Sequence, residues 1–319
     1  MSERPAIAAT DCFWLGPAMN NLRGARASGR LGHALLIHAD PGCGGELLAD
    51  WAAQLLLCQR EPAPCLACTD CRHCAAHQHP DVFFLQPTED SKQIRVEDVR
   101  TFIADLVLTS HGGGYRVGIV APADVLNSNA ANALLKTLEE PPPRTLLALI
   151  SASPSRLPAT ILSRCTRLRV TAPPRVKTLD WLAARGRSGD LAGAAEVLGD
   201  APLTLLDEDA DAVARMSDEM LRAVAEVERG AGDPAQLAER WSRDQFALRL
   251  ACLEAWLTRR IHLSANAPNG NIVWHFGLLD VLRELRREID TPLNKSVALE
   301  TWLWRLAAGG QPGRVTRSQ

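Results

Sequence analysis

Three segments follow one another between residues 31 and 57, and they constrain the fold more than any other part of the chain. An apolar stretch at residues 34–37 leads into a glycine-rich turn at residues 40–45, and an apolar-periodic run then covers residues 47–57. Short apolar stretches bounded by glycines are typical of buried strands, and longer runs with helical periodicity are typical of helices. We therefore predict a strand, a loop and a helix in this order.

Strands and helices continue to alternate through the first half of the chain. The apolar patterns predict further strands at residues 81–85, 115–121 and 145–151, and helices at residues 96–108 and 130–140. Such alternation is typical of a mostly parallel sheet that is covered by helices. We therefore predict an α/β domain over residues 1–171.

The pattern changes after the Ala-Pro-Pro segment at residues 172–174. Alanine, leucine, glutamate and arginine then recur at helical spacing, and we predict no further strand. The sequence predicts a small helical domain at residues 172–207 and a longer all-α domain at residues 208–319.

Composition limits the classes of function. The chain has 35 basic and 37 acidic residues and a net charge of −2, so no overall positive field indicates nucleic-acid binding. It contains no long apolar run and no signal-peptide pattern at its start. We expect a soluble, cytoplasmic protein without a membrane partner.

The glycine-rich turn can be aligned with the phosphate-binding loop G-x-x-x-x-G-K-[ST], which joins a strand to a helix. Ala39 then replaces the first glycine and Gly44 keeps the second, with Gly42 between them. Gly45 and Glu46 replace the lysine, which faces the terminal phosphates, and the hydroxyl residue, which holds Mg²⁺. We therefore expect a degenerate loop and no ATP hydrolysis at it.

A second group that ATP hydrolysis needs is also missing. An active ATPase of this type has acidic residues at the end of the strand at residues 115–121, where they bind Mg²⁺ and activate water. This chain has Ala121, Pro122 and Ala123 there, and its single acid, Asp124, comes about one strand step too late. The two losses together predict that the chain does not hydrolyse ATP by itself.

Five of the nine cysteines crowd into residues 58–74 of a chain that shows no export signal. In a reducing compartment such crowding favours metal over disulfides. One possible set of four ligands is Cys58, Cys65, Cys68 and Cys71, and a second, evenly spaced set is Cys65, Cys68, Cys71 and Cys74. Four thiolates leave no open position on a tetrahedral ion, so we predict a structural zinc site in an insertion of the α/β domain.

Four motifs carry a resemblance to a known family: HALLI at residues 33–37, HPD at 79–81, NALLKTLEEPP at 132–142 and LPATILSRC at 157–165. Their order and spacing resemble the clamp-loader branch of the AAA+ family. Because both nucleotide motifs are altered, the chain is more similar to the delta-prime family of DNA polymerase III than to the ATP-hydrolysing motor subunits. The resemblance implies an AAA+ RecA-like domain with a zinc insertion, a small helical lid and a C-terminal collar.

The resemblance also implies a role and a set of partners. A member of this family is a relatively rigid, non-hydrolysing stator in a heteropentamer with motor ATPase and delta subunits. Through that complex, which belongs to the DNA polymerase III holoenzyme, it helps to load the sliding clamp onto primed DNA. The collar is then the domain for oligomerisation.

Ser163, Arg164 and Cys165 carry the most specific functional expectation. In this family the arginine of the motif is similar to an arginine finger, which reaches into the ATP site of the adjacent subunit and stabilises charge on the transferring phosphate. The alternative is that Arg164 only pairs with a nearby carboxylate. The resemblance favours Arg164 as a finger that acts in trans.

The family pattern also separates the two possible sets of cysteine ligands. It places seven residues between the last ligand and the HPD motif, which is the spacing between Cys71 and His79. The resemblance therefore implies that the zinc ligands are Cys58, Cys65, Cys68 and Cys71, with Cys74 as an alternative ligand.

Two other functions fit parts of the sequence. One is an ATP-hydrolysing motor subunit with an unorthodox phosphate loop, in which Glu46 or Asp124 helps to bind Mg²⁺. The other is a stand-alone zinc module that binds DNA. The net charge and the lack of interleaved basic and aromatic residues around residues 58–74 count against this second alternative.

Overall fold

A computed structural model describes residues 7–88, 91, 93–107, 114–265, 272–287 and 294–309. The chain divides after Pro173 into two compact units. The first unit is α/β, and the described residues of the second unit form helices without strands. These units confirm the predicted fold class, an α/β domain followed by helices. A further division of the helical part at residue 207 remains a prediction.

A five-stranded parallel sheet forms the centre of the first unit. Its strands are β1 Ala34–Ala39, β2 Val82–Leu85, β3 Arg116–Val120, β4 Thr145–Ser151 and β5 Thr166–Val170. They lie in the order β2-β3-β4-β1-β5, so that Ile37 of β1 pairs with Ile150 of β4 and with Leu168 of β5. All residues of β3 and β4 are buried, as expected for strands that are covered on both faces.

Six helices accompany this sheet in the described residues. They are α1 Gly16–Ala27, α2 Gly45–Leu57, α3 Thr69–Ala75, α4 Val96–Val107, α5 Ser128–Glu139 and α6 Ala159–Leu162. Ten of the 13 residues of α2 are buried, which is the pattern of a core helix. The phosphate-type loop precedes α2, and the cysteine-rich segment follows it.

The position of α5 is fixed at both ends. Asn127 caps its first turn, because the Asn127 side chain accepts a hydrogen bond of 2.8 Å from the backbone N–H of Ala130. Near the other end, His33 Nε2 donates to the carbonyl oxygen of Leu138 at 2.8 Å. Leu134 and Leu138 lie in the buried core that α4, α5 and the sheet share. The last turn of α5 is therefore held by both packing and a hydrogen bond.

The second unit consists of helices in the described residues. They are α7 Arg175–Ala183, α8 Leu191–Leu198, α9 Pro202–Asp207, α10 Ala210–Glu228, α11 Pro234–Arg243, α12 Phe246–Ala265, α13 Ile272–Arg287 and α14 Lys295–Ala307. Trp241 and Trp302 are fully buried, and Trp302 donates its indole N–H to the carbonyl oxygen of Leu278 at 3.0 Å. In the part of the chain that is described, no helix is both long and apolar enough to cross a membrane.

Candidate functional site

The predicted phosphate loop joins the end of β1 to the start of α2. The backbone N–H of Cys43 donates to the carbonyl oxygen of Asp40 at 3.0 Å, which closes the turn. Gly44 caps α2 with a φ of 87°, a left-handed conformation that favours glycine. Trp14 supports the turn from outside by donating its indole N–H to the carbonyl oxygen of Cys43 at 2.9 Å. The backbone thus forms a strand-loop-helix turn at a helix N-terminus, which is a favourable place for phosphate.

The two small residues of this loop, Ala39 and Gly45, are linked by packing. Gly45 stands where an active loop has its lysine. A Cβ atom at Gly45 would lie 2.8 Å from Cβ of Ala39 and 3.0 Å from Cγ2 of Ile150, so a side chain here needs β1 or β4 to move. Ala39 itself replaces the first glycine of the motif. The methyl group of Ala39 therefore occupies space that a side chain at position 45 requires.

The charge at the start of α2 is also unfavourable for a triphosphate. Glu46 lies in the first turn of α2 and is exposed. A carboxylate at a helix N-terminus interacts favourably with the helix dipole, in the same way as a bound anion does. Glu46 therefore repels a phosphate group and competes with it for this end of the helix.

Asp124, the acid that follows β3, accepts a hydrogen bond from the main chain. It lies in a short 3₁₀ turn, Ala123–Val125. Its Oδ1 accepts a hydrogen bond of 3.2 Å from the backbone N–H of Ala152, the residue that follows β4. Asp124 thus joins the ends of two neighbouring strands, a structural contact that accounts for an acid at this position.

Arg164 lies just after α6, and three groups contact its guanidinium. One nitrogen, Nη1, donates to the carbonyl oxygen of Thr160 at 2.9 Å and to Oγ of Ser163 at 3.2 Å. The other, Nη2, lies 2.7 Å from Oε1 of Glu139, at the end of α5. The side chain of Arg164 is 35% exposed and that of Glu139 is 51% exposed. The local carboxylate pairing that the sequence left open is therefore present in the isolated chain.

The sulfur atoms of four cysteines lie together after the other end of α2. Those of Cys58, Cys65, Cys68 and Cys71 are all within 4.8 Å of one another, and the Cys58 and Cys68 sulfurs are 3.9 Å apart. In a tetrahedral Zn(Cys)₄ site with Zn–S bonds of about 2.3 Å, the sulfurs are about 3.8 Å apart. The spacing of these four thiols therefore fits a zinc ion.

Backbone N–H groups point at three of these sulfurs. Cys65 N donates to Cys58 Sγ at 3.3 Å, Cys68 N donates to Cys65 Sγ at 3.3 Å, and Cys71 N donates to Cys68 Sγ at 3.4 Å. Such donors stabilise a thiolate, which is the form that binds metal. The backbone N–H of Ala67 is the main cause that lowers the pKa of the Cys65 thiol to about 6.

Cys74, the alternative ligand, lies outside this cluster of four. It is buried in the last turns of α3. Burial, together with the nearby Asp50 carboxylate, raises the pKa of the Cys74 thiol to about 12. Cys74 therefore has the environment of a protonated, buried thiol, and the structure groups the set of cysteines that the family pattern favours.

A family model described as DNA polymerase III, delta subunit, matches residues 15–174. This match covers half of the chain and nearly all of the α/β unit. The chain belongs to this family. Residues 175–319, which include helices α7 to α14, lie outside the matched residues.

Curated proteins that are similar to this chain carry the name DNA polymerase III subunit delta'. The one from Pseudomonas aeruginosa is 42% identical over 218 residues, which cover 66% of each chain. The one from Escherichia coli (strain K12) is 40% identical over 172 residues, which cover 53% of this chain and 51% of the relative. DNA polymerase III subunit tau from the same strain is 32% identical over 146 residues, which cover 45% of this chain and 22% of tau.

These matches confirm the resemblance to the delta-prime family. The chain spans just under two thirds of the length of the first relative and about half of the second.

The sequence analysis missed one side chain that contacts the cysteine segment. Gln54 is buried within α2, and its Nε2 donates to the carbonyl oxygen of Cys71 at 2.9 Å. It ties the core helix directly to the cysteine segment. The signal was present in the sequence, since a single amide interrupts the apolar run of residues 47–57.

Proposed function

We propose that this chain is a clamp-loader subunit that does not hydrolyse ATP itself and assists hydrolysis at a neighbouring subunit. The observation that carries this proposal is the phosphate loop, which keeps its backbone turn but lacks the cation, the hydroxyl and the space for a side chain at Gly45. The same loop counts against the ATP-hydrolysing alternative. Membership of the DNA polymerase III family supports a place in the replication machinery.

Arg164 is the group that acts on the neighbour. An arginine that reaches a bound triphosphate from another subunit stabilises the charge that develops on the transferring phosphate. Its planar guanidinium is always charged and donates several hydrogen bonds in a fixed geometry. Arg164 belongs to the SRC motif, is partly exposed and follows a helix of only four residues. A subunit with no working ATP site of its own can complete the site of another in this way.

The family and the names of the relatives, which are subunits delta' and tau of DNA polymerase III, support partners within a clamp-loader complex. We place the chain in a heteropentamer with motor ATPase and delta subunits, as a relatively rigid stator. The complex loads the sliding clamp onto primed DNA in the cytoplasm. In this arrangement residues 172–207 form the lid, and residues 208–319 form the collar through which the subunits assemble.

The four clustered cysteines hold a structural zinc ion in this proposal. Their spacing fits the ion, and their backbone donors favour thiolates. Four thiolates fill the coordination sphere, so the ion stabilises the insertion and takes no part in hydrolysis.

The finger assignment is tested in a clamp loader reconstituted with variants of this chain. Arg164→Ala is expected to lower kcat for DNA-dependent ATP hydrolysis, while the fold and the zinc content of the chain stay the same. Arg167→Ala is a matched control, because Arg167 is an exposed arginine on β5. Unchanged turnover with Arg164→Ala, or an equal loss with Arg167→Ala, would remove the finger assignment.

A further inference from the structure

The contacts of Arg164 come from two different sources. Thr160 and Ser163 belong to the same short segment as Arg164, so their contacts move with it. Glu139 belongs to α5, a separate helix. Glu139 is therefore the contact that can fix the guanidinium relative to the rest of the α/β unit.

We propose that Glu139 is a positioning residue for Arg164, which it orients toward the ATP site of the adjacent subunit. This inference rests on the proposed role of Arg164 as a finger. Glu139 itself touches neither the nucleotide nor the reacting atoms.

The end of α5 is a firm base for such a role. His33, which directly precedes β1, donates to the carbonyl oxygen of Leu138 at 2.8 Å. The Leu138 side chain is 1% exposed, and the backbone N–H of Glu140 closes the helix by donating to the carbonyl oxygen of Lys136 at 2.9 Å. Glu139 thus projects from a turn that is anchored to the sheet, so its backbone has a fixed position.

The strength of the ion pair between Arg164 and Glu139 also suits an arginine finger. Both partners are partly exposed, so the ion pair is weak. A triphosphate carries more negative charge than one carboxylate and accepts the same charge-assisted hydrogen bonds from a guanidinium, so the neighbour's triphosphate can compete for Arg164. A free arginine side chain has many rotamers, and the contact with Glu139 restricts them before Arg164 binds the phosphate. This restriction lowers the entropic cost of reaching the reactive geometry.

The kinetic test uses the reconstituted clamp loader with Glu139→Ala, Glu139→Gln and Glu140→Ala. We expect Glu139→Ala to lower kcat by about two- to fivefold, the size of effect that an exposed ion pair allows, with KM for ATP unchanged. Glu139→Gln keeps an acceptor oxygen and is expected to lose less. Glu140→Ala, at the exposed neighbouring position, is expected to leave kcat unchanged.

The same substitutions in an Arg164→Ala background separate positioning from a general structural effect. If Glu139 acts through Arg164, Glu139→Ala causes no further loss in that background. An equal loss in both backgrounds would show that Glu139 serves the fold instead. A higher kcat with Glu139→Ala would show that the ion pair restrains the finger, which also overturns the proposal.

A spectroscopic readout follows the contact in the full-length isolated chain. The Nη2 N–H signals of Arg164, assigned by their loss in Arg164→Lys, are expected to show hindered rotation that Glu139→Ala removes and Glu140→Ala retains, because Nη2 is the nitrogen that pairs with Glu139. If Arg164→Ala leaves ATP turnover unchanged, the proposed function fails and the positioning role fails with it. If Arg164→Ala lowers turnover and Glu139→Ala does not, only the positioning role fails.

Discussion

Helix α2 begins at a loop shaped for phosphate and ends at a cluster of four thiols. At its N-terminus the backbone turn is present, but the side chains that hold a triphosphate are absent, and Glu46 adds negative charge. At its C-terminus all four thiols lie at distances that fit a zinc ion. One helix therefore joins an end without the side chains that hold a triphosphate to an end with four thiols whose spacing fits a metal ion.

The two ends differ in how far their shape depends on packing into the core. A loop that binds through backbone amides keeps its shape when it is packed into a core, and Ala39 and Gly45 are both buried. The cysteine segment has much less packing of its own, since residues 59–62 and 66–67 are exposed. We therefore expect it to depend on the proposed zinc ion and on contacts such as that of Gln54, so that exchange of a ligand costs local structure.

The cysteine end offers the largest expected effect. Cys58→Ser removes one of four ligands, and we expect zinc content to fall from one ion per chain to near none. Because structural zinc in small modules contributes about 10–16 kcal/mol of binding free energy, the thermal unfolding midpoint is expected to fall as well. Elemental analysis and thermal unfolding measure the two effects. Cys74→Ser is the matched control and keeps its zinc, whereas zinc loss in Cys74→Ser with retention in Cys58→Ser would assign the alternative set.

At the loop end, the prediction tests whether Ala39 and Gly45 are linked by packing. Gly45→Ala places a methyl group 2.8 Å from Ala39 Cβ, and we expect it to lower the free energy of unfolding by about 1–3 kcal/mol. Adding Ala39→Gly is expected to recover part of this loss, because Ile150 still crowds the site. Urea unfolding of both single variants and the double variant gives the coupling energy. Strict additivity of the two substitutions would contradict the packing link.

Gln54 joins α2 to the cysteine end, and its removal tests how far that end depends on the core helix. Gln54→Ala leaves the carbonyl group of Cys71 without this buried donor, which is expected to cost about 1–3 kcal/mol and to speed zinc release to a chelator. Gln78→Ala, which removes an exposed amide seven residues after Cys71 in the sequence, is the control. Equal rates of zinc release in both variants would show that α2 does not stabilise the cysteine segment through Gln54.

The smallest expected effect concerns Asp124. Asp124→Ala removes the hydrogen bond to the backbone N–H of Ala152, which is expected to lower the free energy of unfolding by about 0.5–1.5 kcal/mol. Asp105→Ala, an exposed acid on α4, is the control and is expected to have little effect. A loss of Mg²⁺ affinity in Asp124→Ala would favour the motor alternative instead.

Most of the first unit could be predicted from the sequence, because its central strands are continuous apolar runs. The edge strand β5 was missed, since Arg167 and Arg169 alternate there with Leu168 and Val170 in only five residues.

The predicted strand at 115–121 is shorter in the structure, as β3 is Arg116–Val120. The helix predicted at 130–140 starts earlier, since Asn127 caps α5. The predicted helix at 96–108 extends to a residue outside the described part of the chain.

The sequence predicted the candidate site only where its residues are close together along the chain. Cysteine spacing indicated a metal cluster because ligands close in sequence must lie close in space. The links between distant residues, Arg164 with Glu139 and Gln54 with Cys71, depend on how helices pack, and spacing along the chain carries no information about them. The steric link between Ala39 and Gly45 likewise requires the positions of β1 and α2.

Calorimetric titration of the zinc-loaded chain with Mg·ATP, combined with a measurement of ATP turnover, tests the central claim most directly. We expect no saturable binding at the phosphate loop up to about 1 mM nucleotide, which corresponds to a binding free energy weaker than about −4 kcal/mol. We also expect no turnover by the chain alone. Saturable binding of one Mg·ATP per chain with hydrolysis, both lost when Gly44 is substituted, would contradict the account.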